Sequence, residues 1–261
     1  MNDFINKTFN LNKKLAIVVG GGGHICSELA ISLAKAGCYV FILDIRKEKF
    51  ELIKKKVNDR LILKNLHFYK FDALRKSEYL RIIKIIKKRF NRFDILINGS
   101  GINSPQNYEK ITLKDWNKVI QSHLDSTFLG CQLFGYQMLK KKSGSIINIS
   151  SASSGPPLSK AFAYSVAKSG IKNLTQNLAR EWANKGVRVN AIRPGFFPTE
   201  WNKRNFIDSK REKKILEHTP MNRFGNPDEL ISTIIWLASN SSSFVTGAEI
   251  PIDGGFSCMT I

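Results

Sequence analysis

Three residues whose side chains can together move a proton lie in the second half of the chain. Tyr164 and Lys168 are four residues apart in Tyr-Ser-Val-Ala-Lys, and Ser151 comes thirteen residues before the tyrosine. Tyrosine has an ordinary pKa of about 10, and a nearby lysine cation lowers it by favouring the phenolate. Such a tyrosine exchanges a proton with a carbonyl or alcohol oxygen, to which a serine hydroxyl can also hydrogen-bond. The three residues therefore predict acid–base chemistry at a carbonyl or alcohol centre.

A helix has to place the tyrosine and the lysine on one face for this chemistry. The segment from Phe162 to about Trp182 is predicted to be that helix, in which residues four apart are neighbours. The alternative interpretation is a surface tyrosine and lysine on an ordinary helix. The choice between the two depends on the rest of the chain.

A glycine run near the N-terminus indicates a site for phosphate groups. The apolar run Leu15 to Val19 predicts a buried parallel strand, Gly20 to Gly23 follow at once, and His24 to Ala36 has helical spacing. Free N–H groups at the start of such a helix favour anions. A second strand, Tyr39 to Leu43, ends in Asp44, which is placed to accept hydrogen bonds from a ribose 2′-OH. This combination predicts dinucleotide binding rather than a flexible glycine hinge.

Five later segments, in the same order along the chain, resemble the short-chain dehydrogenase/reductase family. They are Phe71-Asp72-Ala73, Asn98-Gly99-Ser100-Gly101, Ser145 to Ser151, Arg188 to Gly195 and Val245 to Gly255. The resemblance extends from about Leu11 to the C-terminus. Short apolar strands alternate with amphipathic helices, which predicts a mainly parallel, doubly wound sheet. The later strands are predicted at Asp94 to Asn98, Gly144 to Ile149, Val187 to Ile192 and Glu249 to Ile252. Together they predict one α/β domain over residues 1–261, a three-layer αβα arrangement of Rossmann type.

The resemblance implies a role for each matching residue. Tyr164 is the acid/base, Lys168 lowers its pKa and contacts the nicotinamide ribose, and Ser151 polarises the carbonyl. The implied contacts to NAD are Gly20, Gly23, His24, Ile25, Asp44, Asp72, Ala73, Asn98, Gly99, Tyr164, Lys168, Pro194, Gly195, Phe197 and Thr199. The implied contacts to substrate are Ser151, Ser153, Asn103, Arg193, Phe196 and Trp201.

The chain departs from the family pattern in two places. His24 and Cys26 occupy the positions of the second and third glycines in the family's glycine motif. His123 takes the place of an asparagine that helps hold a water near the lysine in the family's proton relay. We expect His123 to bridge to the same water or to make the relay sensitive to pH, and we expect activity to survive.

Finer similarities suggest a class of substrate. Gly20 to Cys26, Pro194 to Asn202 and Asp253 to Ser257 are similar to the sugar-acid branch of the family, which includes D-mannonate oxidoreductases and gluconate 5-dehydrogenases. The loop Ile102 to Thr112 is shorter than in mannonate-type members, so a related sugar, sugar acid or polyol stays open. The resemblance implies that residues 196–223 form a mobile lid over the substrate. The cations expected to meet a substrate carboxylate are Arg193 first, and then Lys160 and Arg204.

Two alternatives to an NAD-dependent oxidoreductase of sugars, sugar acids or polyols remain. One is a 3-oxoacyl-thioester reductase that uses NADP. Asp44 argues against it because a carboxylate opposes a 2′-phosphate, although Arg46 is close by. The other is an NAD-binding protein without catalysis, against which the intact Ser151, Tyr164 and Lys168 argue.

Composition sets the remaining expectations. The 261 residues carry a formal charge of +20, but the lysines are spread over several helix faces, so we expect no specific nucleic-acid binding. Four cysteines without metal-ligand spacing predict reduced thiols and no metal site. With neither a signal segment nor a long apolar run, we expect a cytoplasmic protein without membrane contact. The resemblance implies a homotetramer, built through helices around Ser126 to Leu139 and Phe162 to Ala183.

Overall fold

The computed structural model describes residues 2–199 and 207–259, and the centre of the fold is one parallel sheet of seven strands. The strands are β1 (Leu15–Val19), β2 (Tyr39–Asp44), β3 (Leu66–Lys70), β4 (Ile95–Asn98), β5 (Gly144–Ile149), β6 (Val187–Pro194) and β7 (Glu249–Ile252). Their order across the sheet is β3-β2-β1-β4-β5-β6-β7, and every neighbouring pair is parallel. The direction of winding therefore reverses between β1 and β4, which creates a crevice at the carboxyl ends of these strands.

Helices cover both faces of the sheet. They are α1 (Asn2–Thr8), α2 (His24–Lys35), α3 (Glu48–Lys56), α4 (Arg60–Asn65), α5 (Lys76–Arg89), α6 (Leu113–Ile120), α7 (Ser126–Gly130), α8 (Tyr136–Lys141), α9 (Phe162–Trp182), α10 (Ser209–Glu217) and α11 (Ile231–Ala238). Two π-helical turns, Gln121–Asp125 and Cys131–Gly135, join α6, α7 and α8 into one continuous helical rod.

Alternation along the strands divides the core into two layers. In β1, Ala16 and Val18 belong to the cluster that packs against α2 and α11, whereas Leu15, Ile17 and Val19 belong to the cluster that packs against α5, the rod and α9. All five side chains are fully buried. A strand buried on both faces has to be apolar throughout, which is why β1 reads as an unbroken apolar run. The three-layer αβα architecture predicted from the sequence is confirmed.

Strand β3 is absent from the sequence-based prediction. Its residues Leu66–Lys70 include two polar ones, and only Leu66 is buried. Because β3 is an edge strand and pairs with β2 alone, it needs no continuous apolar run. A short mixed segment of this kind carries little signal in the sequence. Within the two ranges of the chain given above, no helix has the length and apolar character needed to cross a membrane.

Candidate active site

The crevice between β1 and β4 opens into a cavity of about 750 Å³. Six of the residues expected to contact the cofactor lie in its wall: Gly20, Gly23, Asp44, Asp72, Ala73 and Gly99. They come from the carboxyl ends of β1, β2 and β4 and from the loop after β3. The topological reversal predicted this location, since ligands of open α/β sheets bind where the winding changes direction.

The glycine turn leaves room for the backbone to approach a phosphate closely. Gly20 has a φ of 73°, and a Cβ there would lie 2.6 Å from the backbone of Ser100. Gly23 caps α2 without a side-chain hydrogen bond, so no capping side chain competes for the first N–H groups of the helix. Such an uncapped, glycine-lined helix start fits the pyrophosphate of a dinucleotide.

The replacement of the third motif glycine by Cys26 is accommodated by packing. Cys26 is buried on α2, and its Sγ lies 3.9 Å from the carbonyl oxygen of Gly99. A Cβ at Gly99 would collide with that sulfur. The small residue at 99 therefore makes room for the larger residue at 26. His24, at the other altered position, begins α2 with an exposed side chain and does not line either cavity described here.

Asp44 is fixed in the cavity wall by two backbone hydrogen bonds. Oδ2 accepts from the N–H of Gly22 at 3.0 Å, and Oδ1 accepts from the N–H of Arg46 at 3.0 Å. The side chain is 7% exposed, and Arg46 Nε is 3.7 Å away from Oδ1. The carboxylate is thus held at the end of β2, where the adenosine ribose of a dinucleotide binds.

The three proposed catalytic residues meet at the carboxyl end of β5. Ser151 follows this strand, and its Oγ accepts hydrogen bonds from the N–H and the hydroxyl of Ser153, at 3.2 and 3.1 Å. Tyr164 and Lys168 lie on α9, as predicted, and Lys168 Nζ is 5.5 Å from the centre of the Tyr164 ring. Lys168 Nζ also donates a 2.6 Å hydrogen bond to the carbonyl oxygen of Ile149, the last residue of β5.

Burial controls the ionisation of this group. Loss of solvent raises the pKa of Tyr164, and the Ser151 hydroxyl partly counters that by a hydrogen bond. Burial lowers the pKa of Lys168 to about 8. The sequence-based expectation was that the lysine lowers the pKa of the tyrosine, whereas in the structure the pKa is raised because desolvation outweighs the hydrogen bond from Ser151. Tyr164 is therefore a protonated phenol at neutral pH, ready to donate.

His123 lies on the π-helical turn and packs edge-on against Tyr164, with ring centres 5.0 Å apart. Its Nε2 is 2.8 Å from the carbonyl oxygen of Ile102, and its Nδ1 is buried without a hydrogen-bond partner among the described atoms. Burial, followed by repulsion from Lys168, lowers its pKa to about 3. Gly101, which precedes Ile102, has a φ of 153°, and a Cβ there would collide with the imidazole.

Ser151 and Tyr164 share a second cavity, of about 270 Å³, beside the first. Of the expected contacts, Ile25, Asn103, Pro194, Gly195, Phe196 and Phe197 also line it. Its described wall contains two cationic residues, Lys160 and Arg211, and no carboxylate. Lys160 was expected from the sequence. Arg211 was missed because it lies on α10, 47 residues after Tyr164 along the chain, with no motif around it.

The structure places several expected contacts elsewhere. Arg193 Nη1 faces Glu249 at 3.4 Å and does not line the described wall of this cavity, because β6 turns its side chain toward β7. The Asn98 amide donates to Asn148 Oδ1 at 2.9 Å inside the core and lines neither cavity. Ser153 is buried behind Ser151, and Thr199 lies just beyond the lining residue Pro198. Trp201 and Arg204 fall outside the described residues, as does part of the expected lid.

Comparison with known proteins identifies the family. A family model described as enoyl-(acyl carrier protein) reductase matches residues 23–257. The chain belongs to the short-chain dehydrogenase/reductase family. Since members are NAD(P)-dependent oxidoreductases, the chain is one as well. An uncharacterised oxidoreductase of Bacillus subtilis (strain 168), UxuB, is 37% identical over 95% of this chain and 96% of its own length.

Two further members of the short-chain dehydrogenase/reductase family carry more specific names. The NAD-dependent glycerol dehydrogenase of Listeria innocua is 32% identical, over 96% of both chains. A crystal structure of a gluconate 5-dehydrogenase from Burkholderia cenocepacia, in complex with NADP and tartrate, superposes with a TM-score of 0.88. It is 28% identical and covers 98% of this chain and 100% of its own. Within residues 2–199 and 207–259, no group of side chains is arranged to hold a metal ion.

Proposed function

We propose that this protein interconverts a secondary alcohol and a ketone on a polyhydroxylated acid, a sugar acid above all, with NAD as the redox cofactor. The observation that carries the proposal is the shared cavity, in which Ser151 and Tyr164 face the same space as Lys160 and Arg211. A carbonyl or alcohol oxygen near the first pair and a carboxylate near the second pair would fit one small molecule. The charges that line this cavity support an anionic ligand, since its described wall holds two cations and no carboxylate.

The proton transfer is assigned to Tyr164. In the direction of reduction, its protonated phenol donates to the substrate oxygen, while the Ser151 hydroxyl hydrogen-bonds that oxygen and stabilises its developing negative charge. The residues of the cofactor cavity would hold a nicotinamide dinucleotide, which when bound would supply or accept the hydride at the substrate carbon. Lys168 lies near the ring of Tyr164, so its cation stabilises the phenolate that forms. In the direction of oxidation, the same phenolate takes the proton back.

Binding of the acid is assigned to Arg211 and Lys160. Arg211 lies in the first turn of α10 and donates to the carbonyl oxygen of Ser159 at 3.2 Å, which holds its side chain beside Lys160. A guanidinium recognises a carboxylate through paired N–H groups, which a lysine cannot match. The names of the relatives support both a sugar acid and a polyol as the substrate, since one relative is named for gluconate and another for glycerol. The two cations favour the acid.

The assay that tests this follows the appearance of reduced nicotinamide with sugar acids and with the neutral polyols of matching length. Wild type should turn over an acid, Tyr164→Phe should lose this activity, and Arg211→Gln should raise KM for the acid by at least about tenfold. Arg211→Gln should leave KM for neutral polyols within about twofold. Lys84→Met, which removes an exposed cation on α5, is the charge control. Equal use of neutral polyols, with no effect of Arg211→Gln, would reassign the protein to neutral substrates.

NAD is proposed over NADP because Asp44 places a fixed carboxylate at the ribose end of the cofactor cavity. The alternative of a 3-oxoacyl-thioester reductase using NADP agrees with the description of the matching family model. It agrees less well with Asp44 and with the cations of the substrate cavity. The alternative without catalysis is opposed by the intact trio of Ser151, Tyr164 and Lys168.

Assembly as a homotetramer and a cytoplasmic location complete the proposal. The helices expected at the tetramer contacts expose apolar side chains, namely Phe128 and Tyr136 on the rod and Phe162 and Val166 on α9. All four cysteines are free thiols, three of them buried, which fits a reducing compartment.

A further inference from the structure

Behind the catalytic serine lies a carboxylate that the proposed reaction does not use. Glu249 is the first residue of β7, its side chain is 7% exposed, and it is absent from the described wall of the substrate cavity. A buried carboxylate is costly unless its charge is balanced and its oxygens are hydrogen-bonded. The arrangement around Glu249 meets both conditions, with a different set of partners for each oxygen.

One oxygen of Glu249 binds two serines. Oε1 accepts from the hydroxyl of Ser150 at 2.6 Å and from the hydroxyl of Ser154 at 2.7 Å. These two serines are the first and last residues of the segment that contains Ser151 and Ser153. A single carboxylate oxygen on β7 therefore holds both ends of this five-residue segment, which we call the serine segment (Ser150–Ser154).

The other oxygen of Glu249 faces two cations on two further elements. Oε2 lies 3.4 Å from Arg193 Nη1, next to the Pro194-Gly195 turn, and 3.7 Å from Lys172 Nζ on α9. Lys172 is one helical turn beyond Lys168. The Glu249 carboxylate thus connects the end of β6, the helix that carries the tyrosine, and the serine segment.

Further hydrogen bonds lie within the serine segment and between it and β6. Inside it, Ser151 Oγ accepts from the N–H of Ser153, and the carbonyl oxygen of Ser151 accepts from the N–H of Ser154 at 2.9 Å. The backbone N–H of Ser150 donates to Ile192 on β6 at 2.9 Å. A reactive hydroxyl has to be positioned closely, since a displacement of about 1 Å can reduce a rate by roughly 100-fold.

From these contacts we infer that Glu249 is a positioning residue: it clamps both ends of the serine segment and so fixes the Ser151 hydroxyl opposite Tyr164. This inference rests on the proposed function, because the role of Ser151 comes from it. Glu249 acts through the two serines and does not touch the substrate. Its negative charge also balances Arg193, which explains why that cation is held away from the cavity.

The double variant Ser150→Ala/Ser154→Ala tests the clamp. It removes both hydroxyl anchors and leaves the charge of Glu249 paired with its two cations, so the fold should be kept. The control is Ser242→Ala, which removes another buried serine hydroxyl, one that donates to Trp236 and Leu237 far from the site. Two measurements are made on each protein: amide hydrogen exchange over residues 150–154 without ligands, and kcat and KM with NAD and a sugar acid.

In the double variant we expect hydrogen exchange of the backbone amides at positions 153 and 154 to become faster by at least about tenfold, because the serine segment opens more easily. We expect kcat to fall by about 10- to 100-fold while KM for NAD stays within about twofold. Ser242→Ala should change neither exchange in the serine segment nor kcat. A variant that only lowers the stability of the fold, as Ser242→Ala can, would not lower kcat while leaving KM for NAD unchanged.

Unchanged exchange in the double variant would overturn the clamp, and so would faster exchange with an unchanged kcat. If wild type turns over no polyhydroxylated acid, the proposed function fails. The exchange measurement then decides on the clamp alone, because it needs neither substrate nor cofactor.

Discussion

His123 is held in a single tautomer by its surroundings. The carbonyl oxygen of Ile102 can only accept, so Nε2 carries the proton and Nδ1 presents a bare lone pair in the interior. With its pKa lowered to about 3, the ring stays neutral over the physiological range. His123 therefore cannot act as a pH switch in the physiological range, although its Nδ1 can accept a hydrogen bond. Of the two roles expected from the sequence, the lowered pKa argues against pH sensitivity, and bridging to a water stays a prediction.

Acid should destabilise wild type more than His123→Asn. The unfolded imidazole binds a proton below about pH 6.5, whereas the folded one binds it only below about pH 3, so acid favours the unfolded chain. Between pH 7 and pH 4 this lowers the free energy of unfolding of wild type by about 3 kcal/mol relative to the variant. Urea titrations of both proteins across this range measure the difference. Parallel curves would mean that the histidine is not buried in its neutral form.

The buried Lys168 cation should support activity while lowering the free energy of unfolding. Burial lowers its pKa to about 8, so at pH 7 the folded protein carries the cost of a buried cation, about 3 kcal/mol by linkage. Lys168→Met removes this cost and also the hydrogen bond to Ile149, worth about 1–3 kcal/mol. We expect Lys168→Met to lose at least about 100-fold in kcat and to melt no lower than wild type.

The pH dependence of stability provides the check for Lys168. Because its folded pKa is lowered from 10.5, the unfolded chain binds more protons between about pH 8 and pH 10.5, and wild type gains stability as the pH rises through this range. Lys168→Met should not show that gain. Lys84→Met, which removes an exposed lysine, should behave as wild type in both activity and pH dependence, and a large loss of melting temperature in Lys168→Met alone would contradict the assignment.

At the residue scale, the sequence predicted which residues form the site better than it predicted their burial, pKa and contacts. Tyr164, Lys168 and Ser151 were selected by their residue types, their spacing and the motifs around them, and the structure brings them together. The direction of the Tyr164 pKa, the pairing of Arg193 with Glu249 and the presence of Arg211 in the cavity were not predictable. Each of these depends on burial or on contacts between residues far apart in the chain, which no local pattern encodes.

Among the elements, the end of β2 sets the choice of cofactor. Asp44→Ser removes the carboxylate that opposes a 2′-phosphate, and it also removes the acceptors of the Gly22 and Arg46 amides. We expect the ratio of kcat/KM for NAD over NADP to fall by at least about tenfold, because the repulsion between like charges disappears. Steady-state kinetics with both cofactors measure this ratio.

Two comparisons make the Asp44 result specific. Glu51→Gln, which removes an exposed carboxylate from α3, should leave the cofactor ratio unchanged. In Gly22→Ala, the new Cβ would lie 2.9 Å from Asp44 Oδ2 and should displace the intact carboxylate. A cofactor ratio insensitive to Asp44→Ser would mean that the carboxylate does not face the ribose, and the preference for NAD would have to come from elsewhere.

The elements also show where sequence patterns stop being informative. Strands with both faces buried, such as β1 and β5, could be placed from their apolar runs to within a residue. Edge strand β3 could not, and neither could the π-helical turn that carries His123, since the rod continues through it with helical spacing. A π-turn depends on the packing of the whole rod rather than on a local signature.

At the scale of the whole molecule, the apolar side chains on the rod and on α9 have a testable consequence. If four chains assemble through them, Phe128→Glu/Val166→Glu should yield smaller species, because buried unpaired carboxylates are costly at an interface. Light scattering after size-exclusion chromatography should give four times the 29.5 kDa chain mass for wild type and less for the variant. Leu61→Glu, an exposed apolar position on α4, is the control and should stay tetrameric.

A monomeric wild type with full activity would remove the tetramer from the proposal and leave the site assignments untouched. The sequence predicted the sheet and its winding as a whole because the order of motifs is a property of the entire chain. It predicted assembly only through resemblance, since exposed apolar residues do not by themselves name a partner.

The strand order has a consequence for synthesis on the ribosome. Starting from β1, every later strand joins an edge that is already present: β2 and β3 extend one side, and β4 to β7 extend the other in turn. Since nascent chains emerge from the N-terminus, the sheet can grow outward without reopening. At the β7 edge, Pro251 supplies no N–H for a further strand. This edge of the sheet is therefore protected against pairing with a neighbouring nascent chain.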